Sequence, residues 1–459
     1  MANKLDAARQ YVHENYNGGN DFRWDVLSHK LQIKSFSPQD GLSAEGGLSG
    51  EAGLSAQRSS CLWQEVDKRK VNTIACNCAT ETGVSVSAQE ILTVLNSEDI
   101  PSVNPLREYL NSLPEYTPSS VSFIDWLSSQ VHVKDPNPTF PSKGKGEETP
   151  LPSREGTGVG LVWQHCFKKW FVAMVASWLY DGVVNQQVLV LIGRQGIYKT
   201  TWLEHLMPPC LRAYCTKMAN VRDLNKDERM RIAEFGLINI DEIDSMNDRE
   251  LNQLKSLVTT SDVNERAAYG YTKDRRLRIA SFCASGNNRE FLTDQTGNRR
   301  WLPFDVESIE SPFNWGDSFP YEQIYSEALY LLKQGFNYWF DLDDIAALED
   351  HVESFQKVSN EAELLPVYFS PANPGDNGAV FMSAAEISSL LVSYGNIKQP
   401  LALNKMGSLL QKTGYQQRRV NGKRGYTVYM ITDVTDQRKL DARAAEDNSA
   451  SSASSATPF

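Results

Sequence analysis

Apolar residues along this chain fall into three kinds of run. The first is continuous. Val188, Leu189, Val190, Leu191 and Ile192 follow one another without a polar break, the habit of a strand buried on both faces of a parallel sheet. Leu237, Ile238 and Ile240 in FGLINIDEID make a second buried strand, and 277–285 (LRIASFCAS) a third. The second kind is helical. Residues 161–180 (LVWQHCFKKWFVAMVASWLY) are apolar on nearly every side, as a helix packed on that sheet would be. Ser87 and Glu90 form a capping box ahead of EILTVL, as do Ser383 and Glu386 ahead of ISSLLVSYG. Further helices are expected over 105–113, 223–235 and 320–335, and in KMGSLLQKTG, which Asn404 can cap and Gly414 ends. The third kind alternates. Residues 22–36 read as a hairpin turning at Ser28-His29-Lys30, and 415–431 as one turning on Asn421-Gly422.

Between these runs the composition breaks. Gly-Leu-Ser recurs at 41–43, 47–49 and 53–55, small polar residues that cannot bury enough surface to offset chain entropy. A flexible insertion is therefore expected at 38–60. Residues 134–160, rich in Pro, Gly and charge, read as a linker. The tail 433–459 is low-complexity and expected to be disordered. The domains that follow are a mainly helical one over 1–133, a core over 161–370 and a third over 378–432. In the core, the acidic stretch 341–353 is read as charge that only solvates its helix.

Composition narrows the class. With 459 residues and 41% hydrophobic content the chain can bury an ordinary core in several domains. No apolar run approaches the roughly 18 residues that span a bilayer, and MANKLDAARQ lacks the apolar centre of a secretory signal; the expected location is cytoplasmic, with no membrane. Seven scattered cysteines without CxxC pairs read as reduced thiols, not metal ligands. A net charge of −11 argues against a coat of positive charge for nonspecific nucleic-acid binding. A local basic surface stays open.

The candidate chemistry starts where the first strand ends. Gly193, Arg194, Gln195, Gly196, Ile197, Tyr198, Lys199, Thr200 and Thr201 resemble the pattern G-x-x-x-x-G-K-[ST], whose backbone amides cradle phosphates while the Lys reaches the β- and γ-phosphates. Tyr198 stands where that pattern has glycine. A Cβ there requires a rearranged loop or a weakened site. The second strand delivers Asp241 and Glu242 at its carboxyl end, where open α/β sheets bind ligands. Asp241 and Thr200 can hold Mg²⁺ and Glu242 can polarise an attacking water. Asn287, at the tip of the third strand, is either a hydrogen-bond partner of the γ-phosphate or part of an ordinary Gly-Asn turn. Arg299 and Arg300 are either plain surface charge or an arginine finger for a neighbouring subunit.

The order of these elements, closed by F-L-x-D-x-T-G-N-R-R-W at 291–301, resembles the virulence-associated protein E family, which is similar to superfamily 3 helicases and occurs on phages and mobile elements. The resemblance covers about 160–370, and 63–133 is similar to the helical region that precedes the core in that family. It implies an α/β fold, a P-loop NTPase (AAA+-like) core preceded by a mainly helical N-terminal domain; the C-terminal domain over 378–432 reads as winged-helix-like from its own elements. The resemblance implies Lys199 and Thr200 as the Walker A pair, Asp241 and Glu242 as Walker B, Asn287 as sensor 1, and Arg299 or Arg300 as the finger. The implied cofactors are ATP and Mg²⁺. The implied activity is that of an ATP-dependent DNA helicase or translocase acting in replication of a mobile element, as a homo-oligomeric ring, commonly a hexamer, with any primase a separate partner. The other reading is a DNA-binding replication or regulatory module whose degenerate nucleotide site acts as an assembly switch.

Two basic regions would meet DNA. Residues 266–278 alternate basic and aromatic side chains, either a plain solvated hairpin or, as the resemblance to superfamily 3 rings implies, a hairpin gripping the phosphates and bases of a single strand in the channel; Lys273 is expected at the tip, beside Arg275. In the third domain Arg418, Arg419, Lys423 and Arg424 cluster round the Asn421-Gly422 turn. Two helices and such a ribbon resemble a winged helix, whose wing would sit on duplex phosphate. A subunit-packing module is the alternative there.

Overall fold

The computed structural model describes residues 3–35, 62–134, 158–218, 226–265, 274–292, 298–316, 318–398 and 400–431. The expected insertion at 38–60, nearly all of the linker and the tail lie outside them. The chain forms two compact units, Met1–Gln356 and Lys357–Phe459.

The first unit begins with helix α1 (Lys4–Asn15) and a hairpin of β1 (Phe22–Asp25) and β2 (Lys30–Ser35). Its turn carries His29 at a positive φ of 54°. Strand β3 (Leu62–Glu65), helices α2 (Lys68–Thr82) and α3 (Ala88–Leu95), and the short β4 (Ser102–Val103) complete a small layer with sheet order β3-β2-β1-β4. The Ser87–Glu90 capping box forms as expected. Ala8, Val12, Phe22, Ile74, Ile91 and Leu95 fill this core. The next elements turn elsewhere. Helices α4 (Pro105–Ser112) and α5 (Phe123–Ser129) and strand β5 (Val131–Val133) bury Leu106, Leu110, Ile124, Leu127 and Val131 in the larger central core.

That core is built on helix α6 (Gly158–Leu179) and strand β6 (Val188–Ile192), followed by α7 (Lys199–His205), β7 (Cys215–Met218), α8 (Lys226–Glu234), β8 (Leu237–Ile240) and α9 (Asp248–Thr259). A short antiparallel ribbon, β9 (Asp262–Glu265) and β10 (Asp274–Leu277), leads to β11 (Ser281–Gly286), β12 (Trp301–Ile309), α10 (Tyr321–Lys333) and α11 (Leu342–Glu353). The six-stranded sheet has the order β5-β12-β6-β11-β8-β7. All neighbours run parallel except the edge pair β5 and β12. Every residue of β6, β8 and β11 is buried, which is why β6 reads as an unbroken apolar run and β8 and β11 as apolar runs with few polar breaks. Helix α6 covers the sheet with the fully buried Trp163, Phe167, Trp170, Phe171 and Trp178. Parallel register places all the strand-to-helix loops after β6, β8 and β11 at one end of the sheet.

Two charged residues were misread from sequence. Asp344, within the acidic stretch, is buried and accepts from Lys169 Nζ at 2.5 Å and lies 3.0 Å from His165 Nε2, so it ties α11 to α6 and does not solvate. Arg278, within the basic stretch, is completely buried and donates to the carbonyls of Ala280, Val258 and Asn185. It closes the carboxyl end of α9, where a helix leaves its last carbonyls without intrahelical donors.

The second unit contains α12 (Asn360–Tyr368), β13 (Phe369–Pro371), β14 (Val380–Met382), α13 (Ala384–Gly395), α14 (Leu403–Lys412), β15 (Gln417–Val420) and β16 (Lys423–Met430). The long β16 pairs with β15, β14 and β13 along its length. The Ser383–Glu386 capping box forms. Asn421 and Gly422 both take positive φ, 49° and 80°, as a two-residue hairpin turn demands. Asn404 does not cap α14: the N-cap is Ala402, without a side-chain bond, and Asn404 lies inside the helix. Leu365, Ile387, Leu391, Met406, Leu410, Tyr426 and Val428 are buried in this unit's own core.

Candidate functional site

The loop between β6 and α7 stands at the carboxyl end of the central sheet. Gly193 donates its N–H to Gly286 O at 3.1 Å, pinning the loop to β11. A Cβ on Gly193 would come within 2.6 Å of Val306 O, so only glycine lets the chain turn there. Gly196 (φ 86°) and Tyr198 (φ 66°) both take the left-handed conformation. Tyr198 therefore keeps the backbone path of a glycine, at a cost of about 1 kcal/mol, and its ring leaves the loop to stand 41% exposed. Rearrangement of the loop is not needed to house it.

Behind this turn Lys199 is buried, with Nζ donating to Gly193 O (2.7 Å), Arg194 O (2.8 Å) and Asn287 Oδ1 (3.2 Å). Burial lowers its pKa from the usual lysine value, opposed by Asp244 and Asp241. Thr200, the next residue, donates from Oγ1 to Asp241 Oδ1 at 3.2 Å. Ser285, the penultimate residue of β11, donates to the same Asp241 oxygen at 2.7 Å and lies 3.0 Å from Thr200 Oγ1. Glu242 follows Asp241 at a positive φ of 54° and is exposed. Gln195, Gly196, Tyr198, Lys199, Thr200 and Thr201 line a cavity of about 300 Å³ together with Asp241, Glu242, Ser285, Gly286 and Asn287. Three neutral or anionic oxygens, on Thr200, Ser285 and Asp241, thus meet beside a lysine at the start of a helix. Such hard oxygen donors, few in number, suit a cation that keeps most of its waters. Among the described residues no cluster of three or more His, Cys, Asp or Glu side chains offers a metal cage.

Three participants escaped the sequence reading. Ser285 sits two residues before Asn287 and reads as part of an apolar strand. Asp244 accepts from Asn288 N at 2.9 Å while its other oxygen is buried without a partner. Asn239, fully buried in β8, donates to Thr200 O and Glu204 Oε1 at 3.4 Å each. Of the loop residues assigned to the cradle, Ile197 points inward and is buried in the core.

Arg299 and Arg300 are elsewhere. They precede β12, whose first residue, Trp301, pairs with Val188 at the start of β6, while Asp305 pairs with Ile192 at its end. The arginines therefore stand at the amino end of the sheet, roughly 13 Å along β6 from the loop. They line a separate cavity of about 370 Å³ with Trp301, Phe340, Leu348 and Glu349 among its walls. Arg299 is exposed. In Arg300 burial and the adjacent Arg299 lower the pKa, and its Nε has no acceptor.

Residues 156–357 match the virulence-associated protein E-like domain. The matched stretch contains the loop, both carboxylates, Asn287 and the two arginines. Among solved structures, the chain is similar to an apo structure of the NrS-1 C-terminal region (305–718), at 10% identity over 93% of this chain and 99% of that one, with a TM-score of 0.42. An A-form apo structure of the same region gives 9% identity, 92% and 99% coverage and a TM-score of 0.40. No curated protein matches the chain.

The remaining candidates divide unevenly. Within the matched stretch, Lys273 lies outside the described residues, and Arg275 in β10 is exposed but paired with Asp262 at 2.8 Å. Beyond it, in the second unit, Arg419 and Arg424 face each other directly across the β15–β16 ribbon, both exposed. Like charges in that position destabilise a hairpin. Arg418 lies over the Phe381 ring at 5.4 Å, and Lys423 is exposed at the turn. No helix among the described residues is long and apolar enough to cross a membrane.

Proposed function

We propose that this chain is an ATP-hydrolysing DNA translocase or helicase of a phage or mobile element, built on a P-loop core of the AAA+ type similar to that of superfamily 3 helicases and working as a homo-oligomeric ring, most simply a hexamer. One observation carries this reading: Lys199, Thr200, Asp241, Glu242 and Asn287 converge on one cavity at the carboxyl end of a parallel sheet, while Arg299 and Arg300 stand at its other end. A site divided in this way is completed by a neighbour in a ring.

In this mechanism Lys199 exchanges the carbonyls of Gly193 and Arg194 for phosphate oxygens, which are stronger, charge-assisted acceptors. Thr200 and Asp241 would hold Mg²⁺, with Ser285 fixing the Asp241 carboxylate. When bound, the cation neutralises charge that develops on the phosphates. Glu242 orients and polarises the attacking water. Asn287 senses the γ-phosphate, and a neighbour's Arg299, the more exposed of the pair, neutralises the leaving charge. DNA would be gripped in the channel by Lys273 and Arg275, and on its duplex part by Arg418, Arg419, Lys423 and Arg424. The cross-strand pair Arg419–Arg424 supports the second contact, because a bound phosphate relieves the repulsion between them. A primase would be a separate partner.

Tyr198 favours a second reading, a nucleotide site kept only as an assembly switch. The rate of ATP hydrolysis with and without single-stranded DNA separates the two. The motor predicts stimulation by DNA that disappears in Lys199→Ala; ATP binding with no hydrolysis in the wild type would leave only the switch.

A further inference from the structure

The strongest unused feature lies beside the loop. Phe313 is 71% exposed, on the turn Pro312–Asn314 that follows β12 past its carboxyl end and lies against α7. Its ring stands 6.1 Å from that of Tyr198, nearly perpendicular at 84°. His205, held by a 2.8 Å contact of Nδ1 with Thr201 O, lies 6.0 Å from Phe313 and 6.0 Å from Trp315. An aromatic wall thus begins at the phosphate cavity, which Tyr198 itself lines, and continues outward from it.

Leaving a phenylalanine ring in water forgoes the burial that normally drives it inward, and an edge-to-face pair leaves ring faces open for a third ring. A nucleotide anchored by its phosphates at Lys199 carries its base on a short ribose tether. That base must come to rest close to the loop, and Tyr198 and Phe313 offer the flat apolar surface there. We propose that Phe313 and Tyr198 form the nucleobase seat of the site, stacking the base of a nucleoside triphosphate, with purines preferred for their larger rings. This rests on the nucleotide reading above. It also gives Tyr198 a use: the left-handed backbone that a glycine would supply is retained, and the side chain is turned to the base.

The test measures equilibrium binding of Mg²⁺ complexes of ATP, GTP, CTP and UTP, and of inorganic tripolyphosphate as a probe without a base, to full-length wild type, Phe313→Ala, Phe313→Trp and Lys199→Ala. The expected result is tighter binding of purine than of pyrimidine nucleotides by wild type. In Phe313→Ala, ATP affinity falls roughly 5- to 150-fold, the range of base–aromatic stacking. Tripolyphosphate affinity is unchanged, and Phe313→Trp restores ATP affinity. The proposal is overturned if Phe313→Ala leaves ATP affinity intact, including the case where it changes only the oligomeric mass, or if it weakens ATP and tripolyphosphate equally. If wild type binds tripolyphosphate no better than Lys199→Ala, the phosphate cradle itself fails, and the base seat fails with it.

Discussion

The two ends of the central sheet present different polar groups to two separate cavities. At the carboxyl end, Lys199 Nζ has three acceptors and Asp241 Oδ1 has two hydroxyl donors. At the amino end, Arg300 Nε, Asn298 Oδ1 and Trp301 Nε1 are buried with no partner around a cavity walled by α11, as Asp244 Oδ1 and Asn239 Oδ1 are at the carboxyl end. Buried polar atoms that go unpaired each cost of the order of 1–3 kcal/mol. The first end gathers a lysine, hydroxyls and carboxylates round one cavity; the second sets two arginines beside another. Under the proposed function the two ends are the halves of a catalytic site shared between neighbouring chains.

The contrast can be broken most severely at Arg299. Arg299→Ala should lower the rate of ATP hydrolysis by roughly 10³-fold or more while ATP affinity stays within about twofold, read from steady-state kinetics beside equilibrium binding. An equal loss of affinity would put the arginine in its own chain's site. Next in size is Asp344→Ala, which strips the buried Lys169 of its counter-charge on the wall behind the amino-end cavity. It should cost about 3–5 kcal/mol, read as a fall in the urea midpoint. Burial alone would raise the Asp344 carboxyl, but hydrogen bonds from Lys169 and His165 outweigh it and hold the group below the usual carboxylate range. Its contribution is therefore full above the ordinary aspartate value of about 3.9 and is lost as pH falls through the lowered value. Asp344→Asn should remove that acid-side loss from the pH profile of stability.

At the other end, Ser285→Ala takes away one of the two hydroxyls on Asp241. A single hydrogen bond to a charged group is worth about 1.5–3 kcal/mol, so hydrolysis should slow by roughly 10- to 150-fold, with the Mg²⁺ concentration needed for half-maximal rate raised. A change in rate with no change in Mg²⁺ dependence would remove Ser285 from the carboxylate's support. The smallest effect is expected in the second unit. Arg419→Ala should reduce the slope of log affinity against log salt for duplex DNA by roughly 0.9, one phosphate contact, and at the same time stabilise the isolated ribbon slightly by ending the repulsion with Arg424.

What the sequence made legible follows from locality. The loop, the strands that carry Asp241 and Asn287, both capping boxes and the Asn421-Gly422 turn depend on neighbours within a few residues, and all are found. Elements that depend on distant partners were missed. Val131–Val133 joins the central sheet only because β12, some 170 residues later, offers an edge. Asp344 reads as solvating until Lys169 is brought to it by the packing of α11 on α6. Ser285 is indistinguishable from its apolar strand neighbours until β8 and β11 lie side by side and present its hydroxyl to Asp241. Asn404 failed as a cap for a smaller reason: the helix starts at Leu403, so the first polar side chain before the apolar run lies inside the first turn.

The most direct measurement mixes two inactive variants. Lys199→Ala keeps its arginines but not its cradle; Arg299→Ala keeps its cradle but not its finger. Each alone should hydrolyse ATP at background rate. Combined in equal amounts under conditions that allow subunits to exchange, they should recover hydrolysis, because the cradle of one is completed by the arginine of the other. A mixture no more active than the sum of its parts, in assemblies proven to contain both variants, would contradict a site shared between neighbouring chains.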